Sequence, residues 1–199
     1  MSNAVVSGKA WADFCDQLKA AGDIILADTA PSDPLTRTEG FRYLSRLTKL
    51  ALEQYVEATD TDFPFFYKLS HETAKIGADN PDSAYLNAQI DGSKNYRITG
   101  KRGSMEYFSI VANAMRYDSD GTAQATGSLM DEEIDWGPNG ELEIIASCEE
   151  QEGNWLRLEP DANIIIVRQN SLDRVAEEVG QFHIERIGGP ESPAPIAAE

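Results

Sequence analysis

The first 58 residues carry apolar side chains at the period of amphipathic helices. From Trp11 to Ile25 they recur at three- and four-residue steps, which is the spacing of one helix face. A second stripe of the same period follows, and Asp33 before Pro34 forms a typical N-cap and first helical position. We therefore predict two N-terminal helices, the second ending near residue 58.

From residue 84 the period changes to two. Apolar and polar residues alternate in short segments, which turn sequences such as Asp91-Gly92 separate. About eight segments at roughly ten-residue spacing predict an antiparallel β-sandwich and not an alternating βαβ sheet. The predicted fold class is therefore α+β, with two N-terminal helices followed by the sandwich. Alternation also places Leu86, Phe108, Ile144 and Ile166 in one shared core.

The pattern divides the chain into four parts. They are a helical segment packed on the sandwich (1–58), an aromatic and turn-rich connection (59–83), the sandwich (84–187) and a Pro/Ala-rich tail or linker (188–199). Within the sandwich, the polar stretch Asp118–Ser128 is predicted as a loop and Leu129–Trp136 as a weaker strand.

Composition and charge exclude several partners. The chain has 199 residues, 41% of them hydrophobic, and lacks the run of about 20 apolar residues that a membrane span needs. Its 17 Lys and Arg against 34 Asp and Glu give a net charge of −17, which repels nucleic-acid phosphates and anionic lipid. We therefore expect neither nucleic-acid nor membrane partners. No secretory signal precedes the first helix, so a cytoplasmic location is expected.

Two short motifs resemble a known pair of families. The segment Asp79-Asn80-Pro81-Asp82-Ser83-Ala84-Tyr85 and the later Gly153-Asn154-Trp155-Leu156 are similar to motifs of the bacterial domains of unknown function numbered 1254 and 1214. The resemblance to the second family covers residues 79–187, and the helical start resembles the leader of a longer subgroup. It implies a jelly-roll-like sandwich with no established activity, as a short form or as the N-terminal part of a longer member.

The turn before the first strand gathers carboxylates, an amide and a phenol. Such groups can bind sugar hydroxyls or work as an acid/base pair. Two aspartates three residues apart in a Pro-containing turn are equally able to bond their own backbone. The residues predicted to bind a ligand are Asp79, Asn80, Asp82, Tyr85, Arg97 and Trp155.

Catalytic candidates are few, because the chain has two histidines. If the domain is an enzyme, Asp82 is the candidate acid/base and His71, in the loop before the acidic turn, assists it. A histidine that caps local backbone is the alternative for His71. Neither GxSxG nor GxxxxGK[ST] occurs, which argues against α/β-hydrolase and P-loop chemistry.

No metal or other cofactor is expected. Asp118-Ser119-Asp120-Gly121 resembles the opening of a calcium loop but lacks the third acidic ligand and the closing glutamate. Cys15 and Cys148 lack CxxC spacing, which indicates reduced packing residues rather than a zinc site or a disulfide.

The sequence leaves three functions open. The leading one is a noncatalytic sandwich that binds a small molecule, a carbohydrate or a protein. The second is an enzyme that acts on a small polar or aromatic substrate through its loop carboxylates. The third is a structural subunit whose edge strands pair in a homodimer.

Overall fold

The N-terminal part of the computed structural model is helical, and the structure describes residues 3–117 and 119–193. The helices are α1 (Asn3–Val6), α2 (Lys9–Ile25) and α3 (Pro34–Leu52), which a π-helical turn (Glu53–Glu57) continues. The predicted cap begins α3, since the Asp33 carboxylate accepts a hydrogen bond from the N–H of Thr36 at 3.0 Å. Hydrogen bonding by Thr36 also lowers the pKa of Asp33. Both predicted helices are confirmed, and α1 is a short addition.

Eight strands make up the rest of the fold. They are β1 (Ser83–Gln89), β2 (Tyr96–Lys101), β3 (Tyr107–Arg116), β4 (Thr122–Met130), β5 (Glu141–Ser147), β6 (Trp155–Arg157), β7 (Ile164–Asn170) and β8 (Gln181–Arg186). Two four-stranded sheets result, with the orders β1-β7-β3-β4 and β6-β5-β2-β8. The pairs are antiparallel except for β5 with β6. The predicted α+β class, with N-terminal helices and a β-sandwich, is confirmed.

The core lies between the two sheets. Phe108 and Ile110 on β3 face it from one sheet, and Ile98, Ile144 and Ile184 face it from the other, each at most 5% exposed. Fully burying a large apolar side chain contributes about 1.5–3 kcal/mol. This layer is therefore the main source of the stability of the sandwich.

One core prediction is wrong by a single position. Leu86 packs against the core, but Ile166 lies on the opposite face of its sheet. The core-facing residues of β7 are Ile165 and Val167, both completely buried. Because the apolar run from residue 164 to residue 167 is continuous, alternation could not reveal the phase of this strand.

The predicted loop over Asp118–Ser128 is wrong from Thr122 onward, where β4 begins. This strand pairs along its length with β3, with a register shift after Ala112. Its side chains are mostly exposed, so backbone hydrogen bonds define it and no apolar alternation marks it. The predicted strand Leu129–Trp136 is correct for its first two residues, after which a 3-10 turn follows at Asp131–Glu133.

Helices α2 and α3 form a hairpin whose C-terminal end lies against the sandwich. Gln54 and Tyr55 line a cavity of about 360 Å³ together with Ile164, which faces away from the core. Within the described residues, no helix is both long and apolar enough to cross a membrane. The last six residues of the predicted tail lie outside the described part of the chain.

Candidate functional site

A small cavity opens where β1 begins and β7 ends, and we call it the turn cavity. Its volume is about 220 Å³. The loop from Lys68 to Asp79, the turn that leads into β1, and the connection between β7 and β8 form its wall. Pairing of Ser83 with Asn170 brings the turn and the connection together. The few apolar residues of the wall are Pro81, Ala84, Met105 and Val179.

The turn cavity brings together five of the residues singled out in the sequence. They are His71, Asp79, Asn80, Asp82 and Tyr85. The backbone of His71 pairs in both directions with Ala74 at 3.1 Å, which folds the loop into a tight reversal. The His71 ring nitrogen Nδ1 lies 3.2 Å from the hydroxyl of Thr73. The ring is thus held by a neighbour on its own loop.

Asn80 shapes the turn. Its side-chain oxygen Oδ1 accepts a hydrogen bond from the N–H of Asp82 at 3.0 Å, and its backbone carbonyl accepts one from the N–H of Ser83 at 3.1 Å. This is an Asx turn, but the asparagine forms it and not the two aspartates, for which the sequence offered backbone bonding as the alternative. The side-chain oxygen of Asn80 is therefore engaged by the backbone.

The two aspartates of the turn are each paired with a cation. Oδ2 of Asp79 lies 2.9 Å from Nζ of Lys75, and Oδ1 of Asp82 lies 3.1 Å from Nε of Arg174. The cations and carboxylates of the wall are Lys68, Lys75, Arg174, Glu72, Asp79, Asp82 and Glu177. Positive and negative groups are thus nearly balanced here, in a chain whose net charge is −17.

The two glutamates of the wall also have partners. A hydrogen bond from its own backbone N–H, and then the nearby charge of Lys68, lower the pKa of Glu72. The carboxylate of Glu177 accepts hydrogen bonds from the N–H groups of Leu172 at 3.2 Å and Asp173 at 2.9 Å. It thereby fixes the start of the connection between β7 and β8.

Tyr85 stands beside an arginine that the sequence did not single out. The two residues are opposite each other in the pairing of β1 with β7, and the Arg168 guanidinium lies 5.2 Å from the centre of the Tyr85 ring. A contact of this kind contributes about 0.5–1 kcal/mol at an exposed site. It holds the phenol ring in place at the rim of the cavity.

Two serine hydroxyls of the wall have no hydrogen-bond partner among the residues that the structure describes. They belong to Ser70 and Ser171. Ser171 is 7% exposed, and its backbone N–H donates to the carbonyl of Asp82 at 2.8 Å, which fixes its position. Buried hydroxyls in folded proteins nearly always have a partner. These two hydroxyls therefore keep unused hydrogen-bonding capacity at the wall of the cavity.

Arg97 and Trp155, which the sequence grouped with the turn, lie in the other sheet. Nη1 of Arg97 on β2 donates to Oε1 of Glu185 at 3.0 Å. The indole N–H of Trp155 on β6 donates to the carbonyl of Ser147 at 3.1 Å. Neither side chain lines the turn cavity. The structure thus separates these two residues from the rest of the predicted set.

Sequence reasoning missed Ser70 and Lys75, which precede the turn, and it also missed two wall residues from a remote part of the chain, Ser171 and Arg174. The latter two lie about 90 positions after the turn in the chain, in a connection without apolar alternation. Only the pairing of β1 with β7 brings them to the turn. The sole local signal was the polar stretch between two predicted strands, and such a stretch is typical of any surface connection.

Potential metal ligands do not cluster in the part of the chain that the structure describes, and both cysteines are exposed. In residues 3–117 and 119–193, no group of three His, Cys, Asp or Glu side chains is placed to hold a metal ion. Asp118, the first residue of the calcium-loop resemblance, lies outside the described residues. Cys15 and Cys148 are free thiols but exposed, so the prediction that they are packing residues is wrong.

Comparisons with known proteins show a structural similarity but assign no activity. No protein-family model matches the chain, and no curated protein matches it. It is similar to the crystal structure of an uncharacterised protein from Burkholderia cenocepacia, at 49% identity and a TM-score of 0.94, over 99% of this chain and 55% of that one. A Vibrio parahaemolyticus protein matches at 14% identity and a TM-score of 0.46, over 80% of this chain and 47% of that one. The chain thus spans about half the length of each structure that it matches here.

Proposed function

We propose that this domain binds a small, uncharged, polyhydroxylated molecule, such as a sugar or polyol, in the turn cavity and does not transform it. The observation that carries the proposal is the pair of hydroxyls at Ser70 and Ser171, which have no hydrogen-bond partner within residues 3–117 and 119–193. A buried polar atom without a partner costs about 1–3 kcal/mol. A ligand hydroxyl that completes the hydrogen bonds of these serines would recover part of that cost.

The charge balance of the wall supports an uncharged ligand. The carboxylates of Asp79 and Asp82 are paired with Lys75 and Arg174, so no unpaired charge of either sign dominates the turn. A charged ligand would have to compete with these existing ion pairs. Hydroxyl groups can instead donate to the remaining carboxylate lone pairs and accept from the cations.

The size of the cavity supports a small ligand. Pockets for drug-sized molecules have volumes of about 300–1,000 Å³, and the turn cavity has about 220 Å³. The Tyr85 ring, held by Arg168, offers an apolar face at the rim for the C–H side of a sugar ring. A small polyol or a single sugar ring fits this description better than an extended chain.

Isothermal titration calorimetry against neutral monosaccharides and polyols, with a sugar acid and an amino sugar as charged counterparts, tests the proposal. We expect a neutral compound to bind and its charged counterparts to bind more weakly. Ser171→Ala should weaken that binding by about tenfold, the worth of one ligand hydrogen bond near 1.4 kcal/mol. The same change should leave the free energy of unfolding without ligand unchanged or higher, because it removes an unpartnered hydroxyl.

Ser45→Ala is the matched control. The Ser45 hydroxyl donates to the carbonyl of Phe41 at 2.9 Å on α3, away from the turn cavity. This variant should bind as the unchanged protein does. If no compound of the panel binds with a Kd below about 1 mM, or if Ser171→Ala binds normally, the proposal is wrong. Conversion of a bound compound would instead favour the enzyme hypothesis, in which Asp82 and His71 act together.

We also propose that the chain is related to the families of domains of unknown function 1254 and 1214, and that it acts in the cytoplasm. The turn motif that carries the resemblance forms the entry to β1 and the wall of the turn cavity. Free thiols at Cys15 and Cys148 are compatible with a reducing compartment. Alignment with members of both families tests the relationship, which fails if Asn80-Pro81-Asp82 has no counterpart. Fractionation of cells that express the protein tests the location.

A further inference from the structure

Helices α2 and α3 leave an open apolar groove along the hairpin. Its volume is about 660 Å³. Trp11, Phe14 and Leu18 line it from α2, and Leu44 and Leu47 line it from α3. The groove is separate from the turn cavity, with which it shares no residue.

The side chains along this groove are unusually exposed for their size. Trp11 is 70% exposed, and Tyr55 at the C-terminal end of the groove is 65% exposed. The Trp11 and Phe14 rings touch each other, with their centres 5.7 Å apart. Helix α2 buries no residue and α3 buries one, Leu50. A two-helix hairpin cannot enclose both of its apolar stripes, and such stripes are normally covered by further helices.

We propose that a second copy of this chain covers the groove, so that two hairpins pack about a twofold axis as a four-helix bundle. A twofold interface uses the same surface on both copies, so the apolar side chains of one hairpin would cover those of the other. Large aromatic side chains such as Trp11 and Tyr55 are also the residue types that contribute most to binding energy at interfaces.

The distribution of charge favours a second copy as the partner and the hairpin as the contact surface. Residues 59–199 carry 11 basic and 26 acidic side chains, so two sandwiches repel each other, whereas residues 1–58 carry six basic and eight acidic ones. Within the hairpin, α2 has two basic and three acidic residues, and α3 has four basic and one acidic. A bundle in which each α2 lies beside the α3 of the other copy places opposite net charges together.

The related Burkholderia cenocepacia structure supports the geometry of the hairpin. Its match has a TM-score of 0.94 over 99% of this chain, so hairpin and sandwich have the same relative placement in both proteins. The hairpin that carries the groove therefore has a defined position on the sandwich.

Sedimentation equilibrium over a range of concentrations, with Trp11→Glu compared to the unchanged chain, tests the proposal. We expect the unchanged chain to be a dimer. A buried charge in place of an interface tryptophan should raise the dimer Kd at least tenfold. Far-UV circular dichroism of the variant shows whether the helices remain. Phe14→Glu, at a residue that lines the groove but not the cavity beside the sandwich, provides a second variant if Trp11→Glu fails to fold.

Ile24→Glu is the matched control. Ile24 lies on the same helix as Trp11 and is equally exposed, at 71% against 70%, but it does not line the groove. The proposal requires this variant to remain a dimer with a Kd close to that of the unchanged chain. A chain that stays monomeric up to about 1 mM overturns the proposal and leaves the groove to a different polypeptide. Equal disruption by Trp11→Glu and Ile24→Glu overturns it as well.

Discussion

The sandwich and the helical hairpin differ in where their apolar side chains lie. Between the sheets Ile98, Ile110 and Ile144 are completely buried, whereas on the hairpin Trp11 and Ile24 are about 70% and 71% exposed. Burial of apolar surface is the main favourable contribution that offsets the entropy of the chain. The sandwich therefore contains its own source of stability, whereas the two helices of the hairpin bury almost no apolar side chain within the described chain.

This difference has a geometric reason. Two stacked sheets present two broad faces to each other and enclose every side chain between them. Two helices meet along one line, so most of each apolar stripe stays outside the contact. The same substitution should therefore change the free energy of unfolding by different amounts in the two regions.

Ile144→Ala should show the largest effect. Ile144 is completely buried on β5, and its truncation removes packed methyl groups and leaves a cavity, which costs about 2–5 kcal/mol. Urea unfolding followed by tryptophan fluorescence measures the free energy of unfolding. The matched change on the hairpin, Ile24→Ala, should cost under about 0.5 kcal/mol. Similar losses for both variants would contradict the comparison.

Alkaline pH should weaken the sandwich through Tyr96. Burial raises the pKa of its hydroxyl to about 12, against 10.0 for an ordinary tyrosine. The hydroxyl also donates to the carbonyl of Thr61 at 3.1 Å and accepts from the N–H of Asp91 at 2.9 Å. The folded state thus holds the proton more tightly than the unfolded chain. The associated stability is complete below pH 10 and is lost as the pH rises towards about 12, by up to about 3 kcal/mol.

Unfolding free energies measured from pH 8 to about pH 11 test this sign. In Tyr96→Phe, which has no hydroxyl to ionise, stability should start lower and fall less steeply over the same range. An identical slope in both proteins would show that Tyr96 does not cause the alkaline loss.

Gly127→Ala should destabilise the sandwich by about 1–3 kcal/mol. A Cβ at this position of β4 would lie 2.2 Å from the backbone carbonyl oxygen of Arg157, which follows from the close approach of the two sheets at this edge. Backbone cannot move aside as a side chain can. Differential scanning calorimetry should show a lower Tm, and an unchanged Tm would mean that the two sheets separate easily at this edge.

Gly22→Ala should show the smallest effect, and in the opposite direction. A Cβ here would meet Phe41 and Leu44 at 3.7 and 3.8 Å, ordinary contact distances, and alanine is the better helix former by about 0.8–1 kcal/mol. The midpoint of helix loss, followed by far-UV circular dichroism, should rise slightly. A fall would show that α2 and α3 pack more closely than the open groove indicates.

The sequence predicted those residues of the candidate site that are close together in the chain. Asp79, Asn80 and Asp82 stand together in the sequence, and they line one cavity because a short turn cannot separate them. Arg97 and Trp155 had to be assigned to the site without knowledge of strand order, and they lie in the other sheet. Ser171 reaches the turn through the pairing of β1 with β7 over about 90 positions, for which no local pattern exists.

The sequence by itself determined the classes of element and most of the core. Period-three-to-four spacing, the Asp33 cap and period-two alternation are local properties, and each acts within a few residues. Only the tertiary structure decided which face of β7 meets the core, that the exposed stretch from Thr122 pairs with β3, and that the hairpin leaves its groove open. These features depend on contacts between residues that are distant in the chain. The free energy of such contacts cannot be inferred from the sequence of one segment.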